Sequence, residues 1–173
     1  ADLSIRTYDS KTDMIHYPYF FENGTRLMLE PEPLRNSGFM YHVLHNRVTL
    51  VVSENMAQVM EQYGSYLLPG TQMVKSAVFV PLVTSNRAYG VINLSSMERE
   101  HAFSDSDVRL LETLANSMSV ALENARLFDE TQRLLQETEQ RAAELVIINS
   151  VQEALASKLD MQGIYDAVGD KIR

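Results

Sequence analysis

The sequence contains neither glycine nor proline between Gly90 and Gly163, so no residue in this stretch is suited to ending a helix. Ser104 is placed to cap the start of a helix, and Asp105 and Asp107 follow in its first turn, where the helix dipole favours negative charge. Apolar residues then recur at steps of three and four, close to the heptad repeat of helices that pair along a shared seam. The stretch therefore predicts one long helix with a pairing face.

The length of this helix limits how it can be buried. A continuous helix over residues 103–158 would span roughly 80 Å, so we expect its first part to pack on a domain and the rest to project as a rod. The residues that we expect at a seam between two protomers are Leu114, Met118, Ala121, Ala125, Phe128, Leu135, Ala142 and Leu145. A second seven-residue register would permit a twist or slide between two packings. It consists of Leu127, Leu134, Ile148 and Leu155.

Composition restricts the function classes. The 173 residues suit one compact domain with additional elements. A formal charge of −8 argues against non-specific binding to nucleic acid or to an anionic membrane. The absence of cysteine excludes disulfides, thiolate metal sites, cysteine nucleophiles and chromophores attached through a thioether. No apolar run approaches the roughly 18–20 residues of a membrane span and no signal peptide is visible, so we expect a cytoplasmic protein.

Shorter segments of alternating character precede the long helix. Strand patterns occupy residues 3–8, 14–21, 48–52, 77–83 and 88–95, and short helical patterns occupy 38–45 and 53–63. Ser37 is a candidate cap for the first short helix, and residues 84–87 form a candidate hairpin connection. This order of elements predicts an α+β fold, with a central, mostly antiparallel sheet, flanking helices and a long C-terminal helix.

The second strand is rich in aromatic residues. A period of two places Tyr17, Tyr19 and Phe21 on one of its faces. Pro18 has no N–H for a strand ladder, so we expect the strand to lie at an edge or to bulge there. In the last strand, Asn93 is the one amide in an otherwise apolar run.

The second half of the domain resembles the GAF family. The matching segments are SAVFVPLVTSNRAYGVINL, FSDSDVRLLETLAN and ALENARLF, which are similar to the family's V-P-L strand, its G-V-x-x-L strand, its F-x-x-x-D entry to the last helix and its A-L-x-N-A-x-L exit. The resemblance covers residues 1–129. It implies a sensing and dimerisation module of a signalling protein such as a histidine kinase or a nucleotide cyclase, and no catalytic activity.

The resemblance also implies a domain organisation. GAF domains normally have a helix before the first strand, and residues 144–173 are similar to such an opening segment. We therefore expect a GAF-like domain without its opening helix at 1–129, a helical coiled-coil linker at 130–159, and the opening helix of a following GAF-like domain at 160–173. Asp160 would cap this last helix. Its apolar stripe would consist of Met161, Ile164, Tyr165, Val168 and Ile172.

An aromatic cluster is the best candidate for a ligand pocket. Small-ligand sites usually combine an apolar cavity with a few polar groups. The residues that we expect to contact a ligand are Tyr17, Tyr19, Phe39, His42 and Asn93. The alternative is that these rings fill the core beside the sheet.

Cyclic nucleotide binding is a further alternative within the family. The subset that binds these ligands is similar to an Asn-Lys pair followed by Phe and then Asp-Glu. Here Asn93 is followed by Leu94, and Phe103 leads to Asp107 followed by Val108, so the lysine and the glutamate are absent. Phe103 and Asp107 serve equally well as a core anchor and as a first-turn helix charge.

Catalytic and metal motifs have little support. His42 and His45 lie three residues apart on a predicted helix, but two histidines alone make a poor metal set. No Ser–His–Asp spacing, paired acidic motif or phosphate loop appears. We expect no catalytic residue, no metal and no cofactor.

These observations predict a non-catalytic regulatory or sensor module, which binds a small ligand, dimerises, or does both, and passes a signal through the long helix. Two alternatives stay open, namely a purely structural dimerisation module with a filled pocket and a cyclic-nucleotide-binding GAF domain. The partners that we expect are a second copy through the C-terminal helices, an effector domain of the parent protein and a small-molecule ligand. We expect no contact with nucleic acid or membrane.

Overall fold

The computed structural model describes residues 1–84 and 87–171. Its strands are β1 (Asp2–Asp9), β2 (Met14–Glu22), β3 (Thr25–Arg26), β4 (Glu32–Pro33), β5 (Leu50–Val52), β6 (Ser76–Thr84) and β7 (Arg87–Ser96). Its helices are α1 (Gly38–Asn46), α2 (Met56–Tyr63) and α3 (Asp105–Lys171). The predicted order of the main elements is confirmed, and β3 and β4 are additional two-residue strands. Residues 85–86, in the expected hairpin connection, lie outside the described residues.

The described strands form one antiparallel sheet in the order β3-β2-β1-β7-β6-β5, and β4 also pairs with β2. β1 therefore lies in the middle of the sheet, between β2 and β7, although it comes first in the chain. β6 and β7 pair from Ser76 opposite Ser96 to Thr84 opposite Arg87. This topology confirms the predicted α+β class with a mostly antiparallel sheet.

The two faces of the sheet have separate cores. The core under α1 and α2 contains Ile15, Phe39, Met40, Val43, Leu44, Val52, Met56, Ala77, Phe79 and Val91. The core under the start of α3 contains Val78, Val80, Leu82, Ile92, Leu111 and Ala115. The strands β6 and β7 alternate between these two cores because successive side chains of a strand point to opposite faces. On β6, Val78, Val80 and Leu82 thus face the core under α3.

A bulge in β2 changes which of its aromatic residues share a face. Tyr19 pairs with Ile5 and His16 pairs with Thr7, so two residues, Tyr17 and Pro18, lie opposite the one residue between Ile5 and Thr7. The irregularity predicted at Pro18 is thus confirmed. The common face predicted for Tyr17 and Tyr19 is wrong, because the extra residue of the bulge interrupts the period of two.

The starts of the two short helices differ from the sequence expectation. Ser37 occupies the N-cap position of α1, but its hydroxyl makes no capping bond and instead donates to the carbonyl of Gly64 at 3.2 Å. α2 begins at Met56 rather than at 53, because Asn55 has a left-handed backbone with φ 53°. β5 begins at Leu50 rather than at 48.

Ser104 caps the start of α3 and two acidic residues lie in its first turn, as predicted, and Ser104 and Asp107 also form a capping box. The Asp107 N–H donates to Ser104 Oγ at 3.3 Å, and the Ser104 N–H donates to Asp107 Oδ2 at 2.8 Å. The Ser104 hydroxyl also donates to Asp107 Oδ2, at 2.7 Å. These hydrogen bonds, from the side chain first and the backbone second, lower the pKa of the Asp107 carboxyl below its ordinary value.

α3 runs without interruption from Asp105 to Lys171. The chain divides into two compact units, Ala1–Asn124 and Ala125–Arg173. The helix start predicted at Asp160 is wrong, since residues on both sides of it belong to one helix and Gly163 does not end it. The side chain of Ile164, and Ile172 as a whole, lie outside the described residues. No helix of the described residues is long and apolar enough to cross a membrane.

Gly90 marks the closest approach of β7 to β1. A Cβ added at Gly90 would lie 2.1 Å from the carbonyl oxygen of Arg6, which is backbone and has little freedom to move. We expect Gly90→Ala to lower the free energy of unfolding by about 2 kcal/mol or more, in the range of overpacked sites. The measurement is urea denaturation followed by circular dichroism.

The matched control is Gly163→Ala in α3, where an added Cβ meets nothing within 4 Å. This change should leave stability unchanged or raise it by up to about 1 kcal/mol, because alanine favours helix more than glycine does. Equal stability of Gly90→Ala and the unsubstituted protein would show that β1 and β7 do not approach this closely.

Candidate ligand-binding cavity

A cavity lies between the sheet and the helices α1 and α2. Strands β1, β2, β6 and β7 line it from the sheet side, and residues 65–68 and 71–74 line it from the loop between α2 and β6. Its volume is ≈ 100 Å³. One water needs only roughly 10–15 Å³, whereas sites for drug-sized ligands occupy about 300–1,000 Å³. The cavity therefore has the size expected for a small metabolite.

Apolar side chains form one part of the cavity wall. Phe39 of α1 packs on Phe79 of β6 with ring centroids 5.1 Å apart, and on Tyr63 of α2 at 5.5 Å. Met40 and Met56 complete this part of the wall. Methionine side chains are flexible and polarisable, so this end of the cavity can adapt to the shape of an apolar group.

Asn93 is the buried amide of β7, with only 5% of its surface exposed. Its Nδ2 donates to the carbonyl oxygens of Val78 and Leu94, both at 3.1 Å. Its Oδ1 accepts a long hydrogen bond from the Ser4 hydroxyl at 3.4 Å. Both ends of the amide are thus bound by the protein, as a buried polar group requires. Asn93 ties β1, β6 and β7 together at the cavity floor.

Two tyrosine hydroxyls meet on one carboxylate. Tyr17 of β2 donates to Glu32 Oε1 at 2.5 Å, and Tyr66 of the loop donates to the same oxygen at 2.7 Å. Burial first, and then the hydrogen bond to Glu32, raise the pKa of Tyr66 to about 12. The same two causes raise the pKa of Tyr17 far above its ordinary value. Glu32 thereby attaches the loop over the cavity to the sheet.

Arg6 places a cation in the cavity wall from the middle of the sheet. Its Nε donates to Ser4 Oγ at 3.3 Å. Its guanidinium carbon lies 5.9 Å from the ring centroid of Tyr17 and 5.8 Å from that of Phe20. Burial lowers the pKa of Arg6 below its ordinary value, because the charged form loses solvation.

The structure places three of the five expected ligand residues on the cavity, namely Tyr17, Phe39 and Asn93. Tyr19 does not line it and packs on Arg26, whose guanidinium carbon is 5.1 Å from its ring centroid. His42 does not line it either, since its ring contacts that of Tyr63 with centroids 4.8 Å apart.

Sequence reasoning missed Arg6, Glu32 and Tyr66. β1 reads as a half-buried strand, and only the sheet order shows that both of its edges are paired, with β2 and with β7. Glu32 lies in a segment that reads as a loop, and Tyr66 comes to it across 34 positions of sequence. One local feature could have indicated the polar part of the cavity wall. Arg6 is a basic residue inside β1, and basic residues are uncommon in a central strand.

The residues that suggested other ligands lie elsewhere. Phe103 packs in the core under α3 and Asp107 caps that helix, both on the sheet face opposite the cavity. Within residues 1–84 and 87–171, no group of three or more His, Asp or Glu residues is placed to hold a metal ion.

The carboxylate of Glu32, which Tyr17 and Tyr66 share, should affect how these two tyrosines titrate at alkaline pH. Glu32→Gln keeps an acceptor oxygen but removes the negative charge, so the pKa values of Tyr17 and Tyr66 should fall toward the ordinary value of 10.0. We expect two of the eight tyrosines to ionise at lower pH than in the unsubstituted protein. The measurement is tyrosinate absorbance against pH, with Tyr17→Phe and Tyr66→Phe to assign the two groups.

The raised pKa values of the two tyrosines also determine how the stability of the fold depends on pH. A raised tyrosine pKa stabilises the fold below pH 10, and this contribution is lost as the pH rises through about 12 for Tyr66. The matched control is Asp13→Asn, which removes the carboxylate that accepts from Tyr8 at 2.8 Å and should shift Tyr8 alone. Superimposable titrations of Glu32→Gln and the unsubstituted protein would contradict the shared carboxylate.

Comparison with known proteins finds solved structures of similar fold. A fragment of a methyl-accepting chemotaxis protein is 18% identical with a TM-score of 0.61, over 73% of this chain and 80% of that chain. The GAF domain of a two-component sensor histidine kinase from Bacillus halodurans is 19% identical with a TM-score of 0.56, over 74% of this chain and 84% of that chain. Free methionine-R-sulfoxide reductase from Neisseria meningitidis, in complex with its substrate, is 20% identical with a TM-score of 0.56, over 73% and 69% of the two chains.

At these identities the solved structures show the fold alone. A comparison with curated proteins finds no match. The family model of the GAF domain matches residues 3–123, which is more than half of the 173 residues. The chain therefore belongs to the GAF domain family.

Proposed function

We propose that this chain is a ligand-sensing regulatory module of a signal-transduction protein. The observation that carries the proposal is the cavity of ≈ 100 Å³, which is lined by apolar side chains of the GAF domain together with polar groups from the sheet. An apolar space with a few fixed polar groups is the usual form of a small-ligand site. The chemotaxis protein and the sensor histidine kinase that share the fold support a signalling context.

The alternative of a filled, purely structural pocket is disfavoured by the polar groups in the wall. A core that only stabilises the fold gains nothing from a buried cation, because removing a charge from water costs free energy. Arg6 and Glu32 both line the cavity, whereas a packed core would place apolar side chains there. The charged residues of the wall therefore favour a ligand-binding cavity over a purely structural core.

The cyclic-nucleotide alternative is disfavoured by two residues of its motif. Phe103 and Asp107 serve the core under α3 and the cap of that helix, on the far side of the sheet from the cavity. The cavity is also smaller than sites for ligands of nucleotide size. We therefore favour a smaller metabolite.

An enzymatic role like that of the Neisseria reductase is disfavoured by chemistry. Reduction of a sulfoxide requires two electrons, and thiols supply electrons in proteins by forming disulfides. This chain contains no cysteine to do so. The proposal is accordingly a sensor without catalytic residues.

The proposal includes a homodimer formed through α3. Of the eight expected seam residues, seven are exposed, and the eighth, Met118, packs partly against the core under α3. Phe128, Leu135 and Leu145 expose 64%, 56% and 58% of their surface. Apolar side chains repeated at this spacing along a helix are typical of a face that pairs with another helix. A second copy is the occupant we propose, since it carries the same repeat.

The domain organisation expected for residues 130–173 belongs to the same proposal. Residues 130–159 would be the linker that carries the signal to an effector domain. Residues 160–173 would belong to a following GAF-like domain, and residues 160–171 share one helix with the linker. Both assignments rest on the resemblance and on the helical repeat.

A thermal-shift screen of metabolites and cyclic nucleotides tests the sensor. A ligand at a hundredfold excess over its Kd stabilises the native state by about 2.7 kcal/mol, which raises the midpoint by roughly 5–10 °C in a chain of this size. We expect a small metabolite to give this shift. Tyr17→Phe and Phe39→Ala should reduce it, because both side chains line the cavity.

Tyr19→Ala and His42→Ala are the controls, since neither side chain lines the cavity. Both variants should keep the ligand shift relative to their own midpoints. A shift lost in these controls and retained in Tyr17→Phe and Phe39→Ala would place the ligand elsewhere and contradict the proposed site.

Light scattering tests the dimer. Leu135→Glu places a charge on the exposed apolar face of α3, where pairing would bury it, so the variant should be monomeric at concentrations at which the unsubstituted protein is dimeric. Gln136→Glu adds the same charge one residue further on, about 100° around the helix, and should remain a dimer. A monomeric unsubstituted protein at high concentration would refute pairing through α3.

A further inference from the structure

The guanidinium of Arg6 has more donors than the protein uses. Arginine carries five N–H donors in a planar fork. Within residues 1–84 and 87–171, the one hydrogen bond from its side chain is that from Nε to Ser4 Oγ, at 3.3 Å. The rings of Tyr17 and Phe20 lie beside it, with centroids 5.9 and 5.8 Å from its central carbon. Arg6 lines the cavity, and its terminal N–H groups have no hydrogen-bond acceptor among these described residues.

The charged side chains on the cavity wall balance one another. Glu32 is the carboxylate whose charge acts on Arg6, and it already accepts from the hydroxyls of Tyr17 and Tyr66. Arg35 lies over the ring of Tyr66, with its central carbon 3.7 Å from the centroid. Glu22 also lines the cavity and accepts from the backbone N–H of Gln72 at 2.9 Å. The two guanidinium groups and the two carboxylates of the wall therefore carry no net charge.

Another part of the wall is apolar. Phe39, Met40, Met56 and Phe79 line the same cavity as Arg6. A molecule in this cavity would therefore meet both a cation and apolar side chains. Because the volume is ≈ 100 Å³, the molecule must be small.

We propose that the cavity binds a small organic carboxylate, whose single carboxylate group accepts paired hydrogen bonds from Arg6 while its apolar part packs on Phe39, Met40 and Met56. This inference rests on the proposed function and adds the chemical class of the ligand. The planar guanidinium fork matches the two oxygens of a carboxylate, and charge-assisted pairs of this kind are among the stronger polar contacts in proteins.

The carboxylates already on the wall favour a carboxylate ligand over a phosphate. A phosphate group carries up to two negative charges near neutral pH and three strong acceptor oxygens. Arg6 complements one negative charge, and the carboxylates of Glu22 and Glu32 on the same wall would repel a second. A monoanion is therefore the better complement.

The test compares matched probes on the full chain by calorimetry and by thermal shift. The probes are 4-methylpentanoate and leucine, their neutral-group partners 4-methylpentanamide and leucinamide, and inorganic phosphate. We expect binding of at least one carboxylate, with its amide roughly ten- to a hundredfold weaker because a charge-assisted contact is lost. Phosphate should bind more weakly than that carboxylate.

Variants then assign the contact to Arg6. Arg6→Lys keeps the charge but loses the planar fork, and should weaken carboxylate binding roughly tenfold or more. Arg26→Lys is the matched control, because Arg26 packs on Tyr19 outside the cavity. It should leave the carboxylate affinity unchanged. Circular dichroism checks that both variants fold, and the carboxylate–amide comparison on the unsubstituted protein decides the ligand class even if Arg6→Lys does not fold.

The outcomes separate this inference from the sensor itself. Amides that bind as tightly as their carboxylates, or carboxylate affinity unchanged in Arg6→Lys, would overturn the inference and leave a ligand-binding cavity. Phosphate binding tighter than any carboxylate would overturn the choice of anion. If no probe binds, the inference fails, and the broader thermal-shift screen then decides separately whether the cavity senses another class of molecule.

Discussion

The close contact between β7 and β1 at Gly90 is the constraint on which the rest of the domain depends. The backbone of Arg6 occupies the space that a side chain at Gly90 would need. This contact lets the first strand of the chain enter the middle of the sheet, with β2 on its other side. The same register sets Ser4 opposite Asn93, whose side chains are hydrogen-bonded at the cavity floor. One missing Cβ thus permits the pairing that brings residues of the two strands to the cavity.

The bulge in β2 completes the surroundings of Arg6. With Tyr17 and Pro18 both opposite this residue, the strand presents Tyr17 and Phe20 to the cavity and turns Tyr19 away. Proline has no N–H to contribute to the ladder, so the interruption costs less here than it would at another residue. Two aromatic rings can then flank the guanidinium, an arrangement that favours the cation through the electrons of the ring faces. The aromatic surroundings of Arg6 therefore depend on the bulge in β2, and a regular strand would not provide them.

Much of the fold could be predicted from local patterns, because the start of α3 follows one period and β6 and β7 do so up to the irregularity between Leu82 and Val83. Ser104 immediately precedes α3 and Asp107 lies in its first turn. The start of this helix could therefore also be predicted from the sequence. The cavity was only partly predictable, since its polar wall depends on long-range pairing. Arg6 becomes internal only when β7 covers the second edge of β1, and Glu32 meets Tyr66 only when the loop closes. Tyr19 was misplaced because a bulge shifts the facing of every residue beyond it.

The two sides of the sheet are joined through β6 at the point where a ligand would act. Asn93 donates to the carbonyl of Val78, and the side chain of Val78 lies in the core with Leu111 and Ala115 of α3. Ala115 has no exposed surface, so the start of the helix lies close against the sheet. Protein interiors are packed as densely as organic crystals, and a displacement of the strand therefore has to move its neighbours. A ligand that drew Arg6 and Ser4 toward the cavity would act on Asn93 through its hydrogen bond, and from there on the packing of α3. The domain thus has a short connection between the cavity and the first turns of α3, which consists of the hydrogen bond from Asn93 to Val78 and the packing of Val78 on Leu111 and Ala115.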